Sequence, residues 1–230
     1  MNANALRVWS LRRESAAIAL SGFVLLGAFL LPNPLWLCVS LTVWGSALWF
    51  LWRELGDGAE IEWPTLLTLL RGWLVALTAG MLVPTPEYAA AAYTVAVVLD
   101  DLDGRLARRF GLTTASGARL DLEIDALGIL VASVGGVLLG KLPIWYLAIG
   151  LARYAFVAGV SLVKGARSLD SSRLRRFLAG CQMGFLAAAL WPQVPVDLTR
   201  MAAYLFGGAT LSMFARDWRF VTSVGQTRRA

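Results

Sequence analysis

The feature that most constrains this chain is a succession of apolar runs, each close to the ~20 residues a helix needs to cross a bilayer. "SAAIALSGFVLLGAFLL" (15–31) and "LWLCVSLTVWGSALWFLW" (35–52) follow each other across the turn "PNP". Over all 230 residues, 58% are hydrophobic and 16% charged, with a mean hydropathy of +0.64. Soluble domains average about 45–50% apolar and about 25% charged. A soluble all-helical bundle with a large core is the alternative, and the composition weighs against it. The expected fold class is all-α, a polytopic membrane protein with about eight transmembrane helices.

The expected spans lie near 15–31, 35–52, 65–83, 88–99, 121–140, 142–163, 174–190 and 197–215. A charged stretch, "RELGDGAEIEW", separates the second from the third, and "VPTP" and "WPQVP" read as short turns outside the membrane. No A-x-A-like cleavage site follows the first run at "LLPNPLWL", so it reads as an uncleaved span.

Orientation follows from the basic residues, which cluster between apolar runs as they do in cytoplasmic loops. With the N-terminus inside, eight spans place 18 of the 21 Lys and Arg at cytoplasmic ends; Lys141 and Arg200 fall outside, and Arg153 lies within a span. Both termini, residues 100–120 and the loop "KGARSLDSSRLRR" then face the cytoplasm. The net charge of +6 is spent on this asymmetry, so no nucleic-acid partner is expected. Trp36, Trp52, Trp63, Trp191 and Trp218 fall at expected span ends, where an aromatic belt would put them.

The chain has no histidine, which excludes His-based triads and His metal sites. Its two cysteines, Cys38 and Cys181, fall inside expected spans and read as small buried residues. Acid–base chemistry must come from carboxylates, Lys, Tyr or water.

Against that background, residues 99–125 gather six of the 15 acidic residues: Asp100, Asp101, Asp103, Asp121, Glu123 and Asp125. Asp100 and Asp103 are i and i+3 on one helix face. Gly104 leaves room for close approach of a ligand to the backbone. Gly117, Asp121 and Asp125 repeat at i, i+4 and i+8, again on one face. Converging carboxylates repel and drive protonation unless a cation compensates them. Carboxylate and water oxygens suit Mg²⁺ or Mn²⁺, and such ions also take phosphate oxygens from a substrate. Two such ions can stabilise in-line displacement at phosphorus. Asp101 and Glu123 point off these faces and read as solvated or paired with arginine.

Written out, residues 100–125 read D-x2-D-G-x2-A-R-x8-G-x3-D-x3-D. This resembles the signature of the CDP-alcohol phosphatidyltransferase family at every specified position. "PTLLTLLR" (Pro64 to Arg71) is similar to the segment that opens the family's first core helix, with Thr65 where Asn is common. The resemblance divides the chain into two additional N-terminal helices with a charged linker (1–63), a six-helix catalytic core (64–215) and a cytoplasmic tail (216–230).

What the resemblance implies is transfer of a substituted phosphate from a CDP-linked donor to an acceptor alcohol, with release of CMP. It implies metal binding by Asp100, Asp103, Asp121 and Asp125, with two ions of Mg²⁺ or Mn²⁺, and Asp125 as general base. Gly104, Ala107, Arg108, Gly117 and Thr68 would bind the nucleotide. Arg153, Lys164, Arg167, Arg173, Arg175 and Arg176 are candidates for holding an acceptor phosphate. CDP-diacylglycerol is the expected donor, entering from the bilayer; the reverse arrangement pairs a soluble CDP-alcohol with a lipid acceptor. A homodimer in a bacterial cytoplasmic membrane is expected. The rival readings are a membrane prenyltransferase, whose acidic motifs are separated by several helices, and a divalent-metal transporter, whose sites lie near the bilayer midplane.

Overall fold

The structure is a computed structural model, and it describes residues 11–12, 34–54, 60–61, 63–110, 115–163 and 172–223. The first expected span, and Lys164 and Arg167, lie outside the described residues.

The described chain is helical apart from one two-residue pairing, in which β1 (Leu11–Arg12) runs antiparallel to β2 (Glu60–Ile61). Seven α-helices follow in chain order: α1 (Pro34–Glu54), α2 (Trp63–Met81), α3 (Pro86–Phe110), α4 (Ala115–Leu138), α5 (Leu147–Leu162), α6 (Arg173–Leu190) and α7 (Val196–Thr222). A 3₁₀ turn (Ile144–Tyr146) precedes α5. The all-helical expectation holds.

Several boundaries differ from the expected ones, and the cause is common to them. Hydropathy marks where the apolar run stops, whereas hydrogen bonding continues into charged sequence. Thus α3 runs on from Leu99 to Phe110 through the whole D-x2-D-G-x2-A-R segment, α4 begins at Ala115, and α7 reaches Thr222. Pro86 stands at the first position of α3, where its missing N–H costs nothing, and Glu87 meets the positive end of the helix dipole. α4 ends where Gly140 adopts φ +68°, and both Lys141 N and Leu142 N donate to Gly136 O at 2.9 Å.

Among the described residues, two helices are long and apolar enough to cross a membrane, Leu35–Arg53 and Pro64–Met81, and Ile144–Val160 is a shorter apolar segment. The other long helices couple an apolar half to a charged end. Large apolar side chains nevertheless stay exposed along the chain, among them Trp49, Tyr88, Val98, Leu162, Phe177, Met201 and Leu205. In water such surfaces would be a liability; a bilayer accommodates them.

The chain divides into two compact units, residues 1–131 and 132–230, with the division falling inside α4. In the first unit α2 packs against both α1 and α3. The contact surfaces are built from small residues that let backbones approach, including Ala47, Ala76, Ala79, Ala89, Ala90 and Ala96, all buried. Gly72 marks the tightest of these approaches: a Cβ there would lie 3.2 Å from Ile124 Cδ1 and 3.3 Å from Ala47 Cβ. Ser40 Oγ of α1 donates to Ala76 O of α2 at 2.8 Å, a polar link in an apolar contact.

In the second unit a buried chain of hydrogen bonds joins Thr210 Oγ1 to Gln182 Oε1 (3.2 Å) and Gln182 Nε2 to Tyr146 Oη (2.5 Å). Lys141 Nζ donates to the carbonyls of Trp191 and Val194, closing the turn after α6. Trp145 and Trp218 lie where a Cβ on Gly207 or Gly159 would come within 2.7 Å.

Candidate active site

Three helices of the first unit build the site. α3 presents Asp100 ten residues before its C-terminal end, α4 presents Asp121 and Asp125 one turn apart, and α2 places Arg71 among them. The helical repeat at i and i+4 gives α4 its double contribution. Gly72, next to Arg71, lets α2 approach Ile124, the residue before Asp125.

One carboxylate oxygen from each of Asp100, Asp121 and Asp125 lies within 4.8 Å of the others. At that spacing each pair of unit charges repels by roughly 3–4 kcal/mol at an effective dielectric of about 20. The side chains are 28%, 35% and 24% exposed, so solvent lowers this figure without removing it. Compensation comes from Arg71, which is 2% exposed. Its Nη1 lies 2.9 Å from Asp100 Oδ1 and 2.5 Å from Asp121 Oδ1, and its Nη2 donates to Asp125 Oδ1. A planar guanidinium can serve several carboxylates in this way because its donors diverge in a fixed fork.

A set of hard, anionic oxygens without His or Cys suits Mg²⁺ or Mn²⁺. Its partial exposure leaves a path for an ion and a phosphate-bearing ligand, so the residues present fit a divalent cation.

Asp103 and Gly104 continue α3 beyond Asp100, and Ala107 and Arg108 belong to the same helix. The side chains of Asp103, Ala107 and Arg108 lie outside the described residues. Gly117 sits in the first turn of α4, on the side chain repeat that leads to Asp121. Thr68 is buried on α2, and its hydroxyl donates to Pro64 O at 3.2 Å. Glu123 turns away from the three carboxylates and accepts from Arg53 Nη2 at 3.1 Å.

Arg153, Arg175 and Arg176 belong to the second unit. Arg153 is half-buried on α5, and Arg176 is exposed on α6. Arg175 pairs with the buried Asp217 at 3.0 Å, which Arg216 also approaches at 3.4 Å. Arg173 opens α6, with its side chain outside the described residues.

Arg71 is the residue that sequence reasoning passed over. It ends the "PTLLTLLR" segment and counts among the 18 basic residues expected at cytoplasmic ends. The available signal was its setting: an arginine flanked by Leu70, Gly72 and Trp73 within an apolar helix must meet an anion.

Fold and site together define an all-helical protein that gathers carboxylates from two helices around a position suited to a hard divalent cation. The family model described as CDP-alcohol phosphatidyltransferase matches residues 61–215, which include every residue of the acidic motif. The chain belongs to the CDP-alcohol phosphatidyltransferase family. Members are membrane-integral, typically depend on divalent metal, and transfer a substituted phosphate group from a CDP-alcohol to an acceptor alcohol. Comparison with curated proteins and with solved structures returns no match.

Proposed function

We propose that this chain transfers a phosphatidyl group from CDP-diacylglycerol to an acceptor alcohol at the cytoplasmic face of a bacterial membrane, releasing CMP. The observation that carries this reading is the convergence of Asp100, Asp121 and Asp125, whose spacing in the chain matches the family signature.

The residue roles are those that membership of the family implies at the matching motif positions. Asp100, Asp103, Asp121 and Asp125 would hold two Mg²⁺ or Mn²⁺ ions, which would supply neutralisation of the donor diphosphate and of the charge at phosphorus. Gly104 and Gly117 let the nucleotide approach the helix backbones, with Ala107, Arg108 and Thr68 lining its pocket. Asp125 takes the proton of the acceptor hydroxyl as its oxygen bonds to the phosphorus that bears the lipid. The anhydride P–O bond to the CMP phosphate breaks, and CMP leaves carrying the electron pair. A carboxylate can serve as base here because cations held beside it would stabilise the negative charge that develops on the acceptor oxygen.

The exposed apolar side chains of the helices support a lipid-linked donor, which reaches the site from the bilayer. The six helices of the core and the two preceding them span the membrane about eight times, and the enzyme works as a homodimer. Arg153, Arg173, Arg175 and Arg176 are the proposed contacts for an acceptor phosphate. The test is CMP release in detergent from CDP-diacylglycerol and Mg²⁺, with glycerol 3-phosphate, inositol, inositol 1-phosphate, serine or phosphatidylglycerol as acceptor. Stimulation by one of them establishes the reaction; absence of both nucleotide binding and turnover removes it.

A further inference from the structure

Arg71 differs in setting from the basic residues at helix ends. It lies mid-helix in α2, is 2% exposed, and its guanidinium serves Asp100, Asp121 and Asp125 together. Burying an arginine is costly unless anions repay it, and here the anions are the very carboxylates proposed as metal ligands. Among these four groups, one positive charge faces three negative ones. The remaining negative charge equals what one divalent cation brings. Arg71 and such a cation therefore draw on the same carboxylate groups.

We propose that Arg71 is a positioning residue for the metal site, a built-in counter-cation that keeps the three carboxylates converged and lowers their affinity for divalent metal by competing for them. The inference rests on the reading of Asp100, Asp121 and Asp125 as metal ligands. Two consequences have opposite signs. Without Arg71 the carboxylates lose the counter-charge they share, so the protein is less stable when metal is scarce. Because α3 and α4 fix where the carboxylates start from, the same loss makes the set a stronger cation trap.

The test compares the wild-type full-length chain in detergent with Arg71→Gln and Arg71→Lys. Mn²⁺ binding is read from the electron paramagnetic resonance signal of free ion, and thermal unfolding is followed in EDTA and in saturating Mn²⁺. For Arg71→Gln the expected result is a lower Tm in EDTA and a Mn²⁺ affinity raised at least about tenfold, the scale of one unit charge a few ångströms away. The Tm gain on adding Mn²⁺ then exceeds that of the wild type. Arg71→Lys, which keeps the charge and loses the fork, is expected to fold and to bind Mn²⁺ within about threefold of the wild type.

Unchanged or weaker Mn²⁺ binding in folded Arg71→Gln overturns the proposal, as does an equal loss of Tm in EDTA and in Mn²⁺, which marks a purely structural ion pair. If Arg71→Gln does not fold, a loss of Mn²⁺ affinity beyond about tenfold in Arg71→Lys overturns it instead. Failure of the wild type to bind Mn²⁺ removes the metal reading itself and this inference with it, whereas binding by the wild type with unmoved variants removes only the role of Arg71.

Discussion

Arg53, in the last turn of α1, donates to Glu123 of α4 at 3.1 Å. Glu123 lies between Asp121 and Asp125 in sequence, so a helix outside the family match grips the helix that supplies two of the site's carboxylates. The pairing also keeps Glu123 occupied on the far side of α4. The packing of Trp44 and Ala47 around Gly72 brings α1 against the same part of α2 that carries Arg71. α1 is thus part of the frame of the site.

The Arg53 side chain is 48% exposed and that of Glu123 is 11% exposed, so their pairing is expected to contribute about 0.5–1 kcal/mol. Arg53→Gln and Glu123→Gln should each lower the stability of the purified protein by about that amount. The double variant should cost less than the sum of the two. Fully additive losses in thermal unfolding would show that the two side chains do not interact.

Asp125→Asn is expected to abolish turnover, by about 10²-fold or more, while the protein stays folded. Asp100→Ala is expected to raise the Mg²⁺ concentration needed for half-maximal activity and to weaken nucleotide binding with it. Near-normal rates for the first variant, or an unmoved Mg²⁺ titration for the second, would remove those assignments.

That Asp121 and Asp125 share one face of α4 was legible from sequence, since their i, i+4 spacing alone puts them there. The all-helical class was legible too, because apolar runs of that length leave few alternatives. Helix ends were not, because hydropathy falls where α3 and α7 leave the apolar layer while their hydrogen bonding continues to Phe110 and Thr222. The meeting of Arg71 with three carboxylates was hidden for another reason. It joins residues about 30 and 50 positions apart through the packing of α2 on α3 and α4, and no local period encodes such a contact. The pairing of Arg175 with Asp217 is likewise a tertiary event between α6 and α7.

Gln182 connects Tyr146 and Thr210 in a setting where all three residues are buried. Replacing it with Leu strands two hydroxyls that have lost their partner, and the expected cost is about 1–3 kcal/mol. Unfolding of Gln182→Leu by heat or denaturant measures this directly. A variant as stable as the wild type would mean that both hydroxyls find other partners.

Gly72→Ala requires Ile124 and Ala47 to give way by a few tenths of an ångström, and Gly72→Leu requires far more. The second variant should be destabilised by about 1–3 kcal/mol and should lose activity beyond what its folded fraction explains, because α2 carries Arg71 to the carboxylates. Activity per folded molecule equal to the wild type would uncouple this packing from the site.

If the acceptor carries a phosphate, Arg153→Ala should raise its KM about tenfold or more and leave the KM for the CDP-linked donor unchanged. Steady-state kinetics with both substrates varied gives the answer. Equal effects on both values would move Arg153 out of the acceptor site.

On the proposed function, the carboxylates gathered from α3 and α4 carry metal-dependent transfer from a CDP-linked donor. The most direct test is CMP release by the purified protein with CDP-diacylglycerol across the acceptor panel, run with Mg²⁺, with EDTA and with Asp125→Asn. The expected result is release that one acceptor stimulates, that EDTA stops, and that Asp125→Asn lacks. Acceptor-stimulated release that persists in EDTA or in Asp125→Asn would contradict it.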